Sequence, residues 1–269
     1  MRYTIVTALA CMLVFLTAGT VRLSAQANPA AKSSASAGVP RMPDGHPDLS
    51  GVWWRGADVG GRGGQPLPGR GGAAPVPPFS SFYTPSAAAK AKTLSDKDDP
   101  SLGCTSTAFG TLNVSMFDVG AVAQIVQTPK FVVLLTETYH GFQIIPFDGR
   151  GHRDNQPPSN RGDAIGRWEG DTFVVDKTNF TDTSWISAEG RVSFHSDKLH
   201  MIERYRRVDA NTLEIEATLE DPAVLTKPWV VPKQTLVLAP FDQILNLDCS
   251  AGDTPELINA ASKQSAGKN

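Results

Sequence analysis

Between residues 121 and 238, short apolar runs alternate with turn signals: Thr128-Pro129-Lys130, His140-Gly141, Asp148-Gly149, Glu169-Gly170-Asp171 and Asp209-Ala210-Asn211. The runs have a period of two, which predicts strands over 121–127, 131–139, 142–147, 164–168, 172–178, 199–207, 212–219 and 229–238. Gly51 to Trp54 adds one near the N-terminus. Connections this short join antiparallel neighbours. A long meander leaves two open edges unless it curls onto itself, so the expected fold is all-β, an antiparallel barrel of about eight to ten strands. One short helix is expected near 85–95, with Thr84 as its cap and Pro85 in its first position.

Two hairpins yield explicit registers. With the loop Asp209-Ala210-Asn211 and Asn211 left-handed, Arg206 faces Glu214 and Arg204 faces Glu216. The other face then carries Met201, Tyr205, Leu213, Ile215, Ala217 and Leu219, with Glu203 among them opposite Ala217. In the second hairpin a two-residue His140-Gly141 turn sets Tyr139 against Phe142 and Glu137 against Ile144. Glu137 thus shares a face with Phe131, Val133, Leu135 and Tyr139, and the first half of that strand reads as covered on both sides.

The N-terminus changes the picture of compartment. Arg2, the apolar run Ile5 to Ala18 and Ala25-Gln26-Ala27 make a secretory signal, with cleavage expected after Ala27. The mature chain then has no transmembrane segment and two cysteines, Cys104 and Cys249. In an exported chain these read as one disulfide. Residues 28–46 form a small, polar linker. A single domain spans 47–250, interrupted by a Gly/Pro-rich loop at 56–78, and 251–269 is a flexible tail. A net charge of −2 lacks the basic surface of a nucleic-acid binder.

A carboxylate on an apolar face must be paired, neutralised or functional. Glu203 and Glu137 are therefore the candidate catalytic or anchoring residues, with inward arginines such as Arg167, Arg191 or Arg207 as possible structural partners. Tyr139, Tyr205, Trp185, His152 and Arg207 are candidate ligand contacts: aromatic walls, a lid in the polar loop 179–196, a loop rim and a cation. The histidines form no metal signature, since strand parity puts His200 on the face opposite Glu203; no metal is expected and no motif specifies a cofactor.

The segment Asp48-Leu49-Ser50-Gly51-Val52-Trp53 resembles the G-x-W opening of lipocalin-like and avidin-like barrels. That resemblance implies that Trp53 plugs one barrel end beneath an arginine from a late strand. The chain from Pro47 to Cys249 is also similar to a family of uncharacterised exported bacterial proteins, through PDLSGVW (47–53), FDGRGH (147–152), IGRWEGDTFVVD (165–176), HSDKLHMIERYRR (195–207) and LEDPAVLTKPW (219–229). This resemblance implies an envelope or secreted location and carries over no catalytic residue. Three functions are open at this point. The lumen binds a small amphipathic or aromatic ligand; or Glu203 and Glu137 serve a non-covalent lyase, isomerase or hydrolase; or the barrel is a filled envelope scaffold.

Overall fold

Among the described residues nine strands form where the alternation predicts them: β1 (Gly51–Trp54), β2 (Ala123–Gln127), β3 (Phe131–Thr136), β4 (Phe142–Pro146), β5 (Asp163–Glu169), β6 (Thr172–Thr178), β7 (His200–Arg207), β8 (Thr212–Glu220) and β9 (Trp229–Leu238). The computed structural model describes residues 38–54, 77–109, 122–137, 141–186 and 192–245. These belong to the unit Ser36–Asn269, distinct from Met1–Ala35. The signal cleavage site, nearly all of the 56–78 loop, Tyr139, His140, Arg191, Cys249 and the 251–269 tail lie outside the described residues.

All pairings are antiparallel, in the order β4-β3-β2-β1-β9-β8-β7-β6-β5. The short β1 joins β2 to β9 and so draws the sheet into a barrel that is nearly closed. The remaining gap lies between β4 and β5. Across it the Gln143 side-chain amide donates to the Arg161 carbonyl at 2.9 Å, and Ile145 packs against Gly166. A methyl on Gly166 would lie 2.4 Å from Phe173 Cζ and 3.1 Å from Ile145 Cγ2, so the bare backbone lets the two rims approach.

Inward positions alternate along each strand, and they fill the barrel. On β7 they are Met201, Glu203, Tyr205 and Arg207; on β8, Leu213, Ile215, Ala217 and Leu219. At the Arg207 end, Trp53 and Leu49 are fully buried. Gln127 holds residues 47–49 over that end, accepting from the Leu49 N–H at 2.8 Å and donating to the Pro47 carbonyl at 3.1 Å. The opposite end is covered by a second apolar cluster that includes Phe79, Tyr83, Phe180, Trp185 and Phe194. Helix α1 (Pro85–Ala91) belongs to that cover, and its Thr84 cap accepts from the Ala87 N–H at 3.2 Å.

The 200–220 hairpin has the expected register: Arg206 faces Glu214, Arg204 faces Glu216 and Glu203 faces Ala217. Its turn differs. Asn211 is not left-handed; instead the Asp209 carboxylate accepts from the Asn211 N–H at 2.7 Å and closes the loop.

The 131–146 hairpin departs from expectation by four residues. Phe142 faces Leu135, not Tyr139, and Ile144 faces Val133, not Glu137. Thr136 closes the ladder by donating to the Gly141 carbonyl at 2.8 Å. A shift by an even number of positions leaves every inward residue inward, so alternation does not distinguish the two registers. Gly141 serves close approach rather than a tight turn: a methyl there would overlap the Arg161 guanidinium. The face carrying Phe131, Val133 and Leu135 is the barrel's exterior and is only partly covered, not buried on both sides.

Candidate functional site

Glu203 lies inside the barrel, as parity requires, and a lysine satisfies it. Lys177 Nζ is 2.8 Å from both Glu203 oxygens, and the Tyr205 hydroxyl donates to Oε2 at 2.7 Å. Of the expected arginine partners, Arg167 pairs with Glu169 and Arg207 with backbone carbonyls, while Arg191 lies outside the described residues. Lys177, Glu203 and Tyr205 are each at most 2% exposed. Burial pushes the Lys177 ammonium below its ordinary value, against the opposing pull of Glu203. The lysine comes from β6, whose register sets Val175 against Glu203 and Lys177 against Met201.

Glu137 does not join this group. It follows the outward parity of β3, and its Oε1 accepts from the Leu245 N–H at 2.7 Å. The two glutamates therefore stand on opposite sides of the barrel wall and form no acid–base pair. Trp185 is 5% exposed within the apolar end-cover, in a bridge to Phe194, and is core rather than a lid. Arg207 sits 5.0 Å from the Trp53 ring and donates to the carbonyls of Asp48 and Ala210, so it belongs to the barrel plug.

His152 occupies the β4–β5 loop, as expected for a rim residue. It lies between two carboxylates, with Nδ1 3.1 Å from Asp163 and Nε2 3.2 Å from Asp176. His200, on the exterior of β7, meets the same Asp176 oxygen at 3.0 Å. Asp163 also accepts from Arg153. Its burial alone would raise its pKa, but the Arg153 and His152 hydrogen bonds outweigh that and hold it below the usual carboxylate range. These contacts pin the loop to the barrel. Among the described residues no set of three His, Cys, Asp or Glu side chains is disposed to hold a metal ion.

The cleft that emerges lies where the barrel stays open. It has a volume of about 870 Å³ and is bounded by the exterior of β4 and the loop that follows. Phe131, Phe142 and Ile144 form one wall and are 37%, 62% and 53% exposed. Arg150, Arg153 and Arg161 also line the cleft. Gln143 and Arg161, both lining residues, each carry a buried polar atom without a hydrogen-bond partner, Oε1 and Nη1 respectively. Sequence reasoning missed this site because Arg161 sits in a polar loop segment. The one available signal was Phe142 and Ile144 outside a strand whose inward residues include Gln143.

A second buried arrangement joins Ser184 and His195. His195 Nδ1 donates to the Ser196 carbonyl at 2.9 Å, which leaves Nε2 to accept from the Ser184 hydroxyl at 3.1 Å. The pairing has the chemistry of a nucleophile and its base, but exposures of 1% and 2% place it inside the end-cover. Burial lowers the His195 pKa from 6.5, so the neutral ring is the folded form. The unfolded chain then binds more protons below that value, and His195 stabilises the fold above about pH 6.5 and loses this contribution as the pH falls. Thermal melts between about pH 7 and pH 5 should show a declining midpoint whose slope is shallower in His195→Gln. Equal slopes in the two proteins would remove His195 from the account.

Among the described residues no helix is long and apolar enough to cross a membrane. The chain matches no protein-family model, no curated protein and no solved structure.

Proposed function

We propose that this protein binds a small amphipathic ligand, and that the ligand lies in the cleft at the β4–β5 seam rather than deep in the barrel. The observation that carries this reading is the cleft itself: about 870 Å³ lined both by the exposed apolar Phe131, Phe142 and Ile144 and by polar and charged side chains. The lumen is filled by Trp53, Phe173, Tyr205, Leu213 and Ile215, all at most 2% exposed, which favours the seam over the interior. The acid–base reading has no comparable support, because neither Glu137 nor Glu203 lines the cleft. An uncharged fluorescent amphiphile, N-phenyl-1-naphthylamine, is expected to bind. The double substitution Phe142→Ala, Ile144→Ala should weaken it about tenfold, the worth of removing two partly exposed apolar contacts. An unchanged affinity in that variant would sink the seam as the binding site.

The protein on this reading is exported. The support is the signal-like N-terminus and the two cysteines left after cleavage. A periplasmic or secreted barrel, processed after Ala27 and bridged from Cys104 to Cys249, is the form we expect in the cell. The Trp53–Arg207 plug agrees with the resemblance to G-x-W barrels. Intact-mass measurement on unreduced protein checks both points: the chain should begin at Asn28 and weigh two protons less than its reduced form. A full-length or unbridged mass would refute them.

A further inference from the structure

The seam cleft has an excess of positive charge that its own residues leave uncompensated. Lys130, Arg150, Arg153 and Arg161 line it, against Asp148 as the one lining carboxylate among the described residues. Two of these cations are engaged. Arg150 is held by Asp148, and Arg153 by the buried Asp163. Lys130 is exposed to water.

Arg161 differs from the others. Among the described residues no carboxylate pairs with it. Nη2 reaches only the Thr136 hydroxyl, at 3.4 Å, and Nη1 is buried with no partner at all. Burial lowers its pKa to about 10, which still leaves the guanidinium charged at neutral pH. Lys177, the nearby interior cation, is already matched by Glu203, and Arg161 acts on it as a like charge. One partly buried positive charge, with Nη1 shielded from water, is therefore left over among the described residues, an arrangement that a folded chain rarely leaves uncompensated. Beside it, Gln143 donates its amide N–H to the Arg161 carbonyl and leaves Oε1 buried without a donor.

We propose that a ligand carboxylate completes this site by pairing with Arg161, while the ligand's apolar body lies against Phe131, Phe142 and Ile144. The inference rests on the seam-cleft reading and adds the class of ligand: a small apolar or aromatic monocarboxylate. A single unmatched charge calls for a carboxylate rather than a doubly charged phosphate. The guanidinium provides the charge-assisted donor, and its partial burial strengthens that contact.

Competition against bound N-phenyl-1-naphthylamine tests this with two probes of one shape, 2-naphthoate and the uncharged 2-naphthalenemethanol. In the wild type the carboxylate should displace the dye about tenfold more tightly or better, the worth of one charge-assisted hydrogen bond. In Arg161→Gln the two probes should become equal, with the affinity of the alcohol retained. The ligand-free variant should also melt no lower than the wild type, because an unpaired, partly buried charge has been removed. Should that variant fail to fold, the comparison of the two probes on the wild-type protein decides alone. Equal displacement by acid and alcohol in the wild type would overturn the carboxylate site and leave the cleft standing. Failure of the dye and both probes to bind would overturn the cleft, and this inference with it.

Discussion

Replacing Lys177 with methionine is expected to lower the melting temperature by about 10 °C, the result of losing roughly 3–5 kcal/mol when one partner of a buried ion pair is removed. The cost comes less from the lost attraction than from what is left behind. Glu203 would retain the Tyr205 hydroxyl at 2.7 Å, but its other oxygen would lose its cation at a site only 1% exposed, beside the buried Met201, Ala217 and Val175 of neighbouring positions. Methionine matches the length of the lysine stem, so no large cavity opens and the measured loss reports the charge. Adding Glu203→Gln should return most of the stability, because the amide carbonyl still accepts from Tyr205 while the lone charge is gone. Urea melts of the two single variants and the double variant form the cycle that isolates the coupling. If Lys177→Met melts with the wild type, or if the double variant is no better than the single, the pair is not the buried, dry contact described.

That network shows what the sequence disclosed and where it stopped. The inward direction of Glu203 follows from local information: the Asp209 turn, two opposite-charge pairs and an alternating apolar face all select one register, with Glu203 opposite Ala217. Its partner does not follow, because Lys177 reaches it through β6–β7 pairing across more than twenty intervening residues. An arginine was expected from charge alone, and no local pattern distinguishes it from a lysine in the next strand. The Glu137 assignment failed for a different reason. Parity put it on the face of Phe131 and Leu135, but parity does not say which face is inside; an apolar exterior wall reads like a core. Trp185 was misjudged because Phe180, Ile186 and Phe194, scattered through a loop of polar appearance, assemble with it only in three dimensions. The seam itself exists because the sheet's two end strands, β4 and β5, face each other without a ladder, a property of the whole strand order rather than of any segment.

Trp53→Ala should be the most damaging single truncation, at about 3–5 kcal/mol, the range for deleting a fully buried aromatic ring. Several contacts end together. The indole N–H donates to the Leu49 carbonyl at 2.9 Å, and its loss leaves that buried acceptor unpaired. The Arg207 guanidinium, 5.0 Å from the ring, loses its π-face while remaining partly buried, and burial already pulls its pKa below the ordinary value. The position of the ring in the fold adds to the damage. Trp53 pairs with Ala123 of β2 on one side and Leu238 of β9 on the other, in a four-residue strand that carries the sheet's closure. Trp53→Phe keeps a ring beneath Arg207 but gives up the N–H bond and part of the volume, so it should cost about half as much. Hydrogen exchange provides the readout that a loss of packing elsewhere would not move. In Trp53→Ala the amides of β1 and the facing residues of β2 and β9 should exchange faster than those of the β7–β8 hairpin, which does not depend on β1 for its pairing. If β1 stays as protected as that hairpin, or if alanine costs no more than phenylalanine, the plug does not hold the barrel closed, and closure must be assigned to the 47–49 segment and its Gln127 contacts instead.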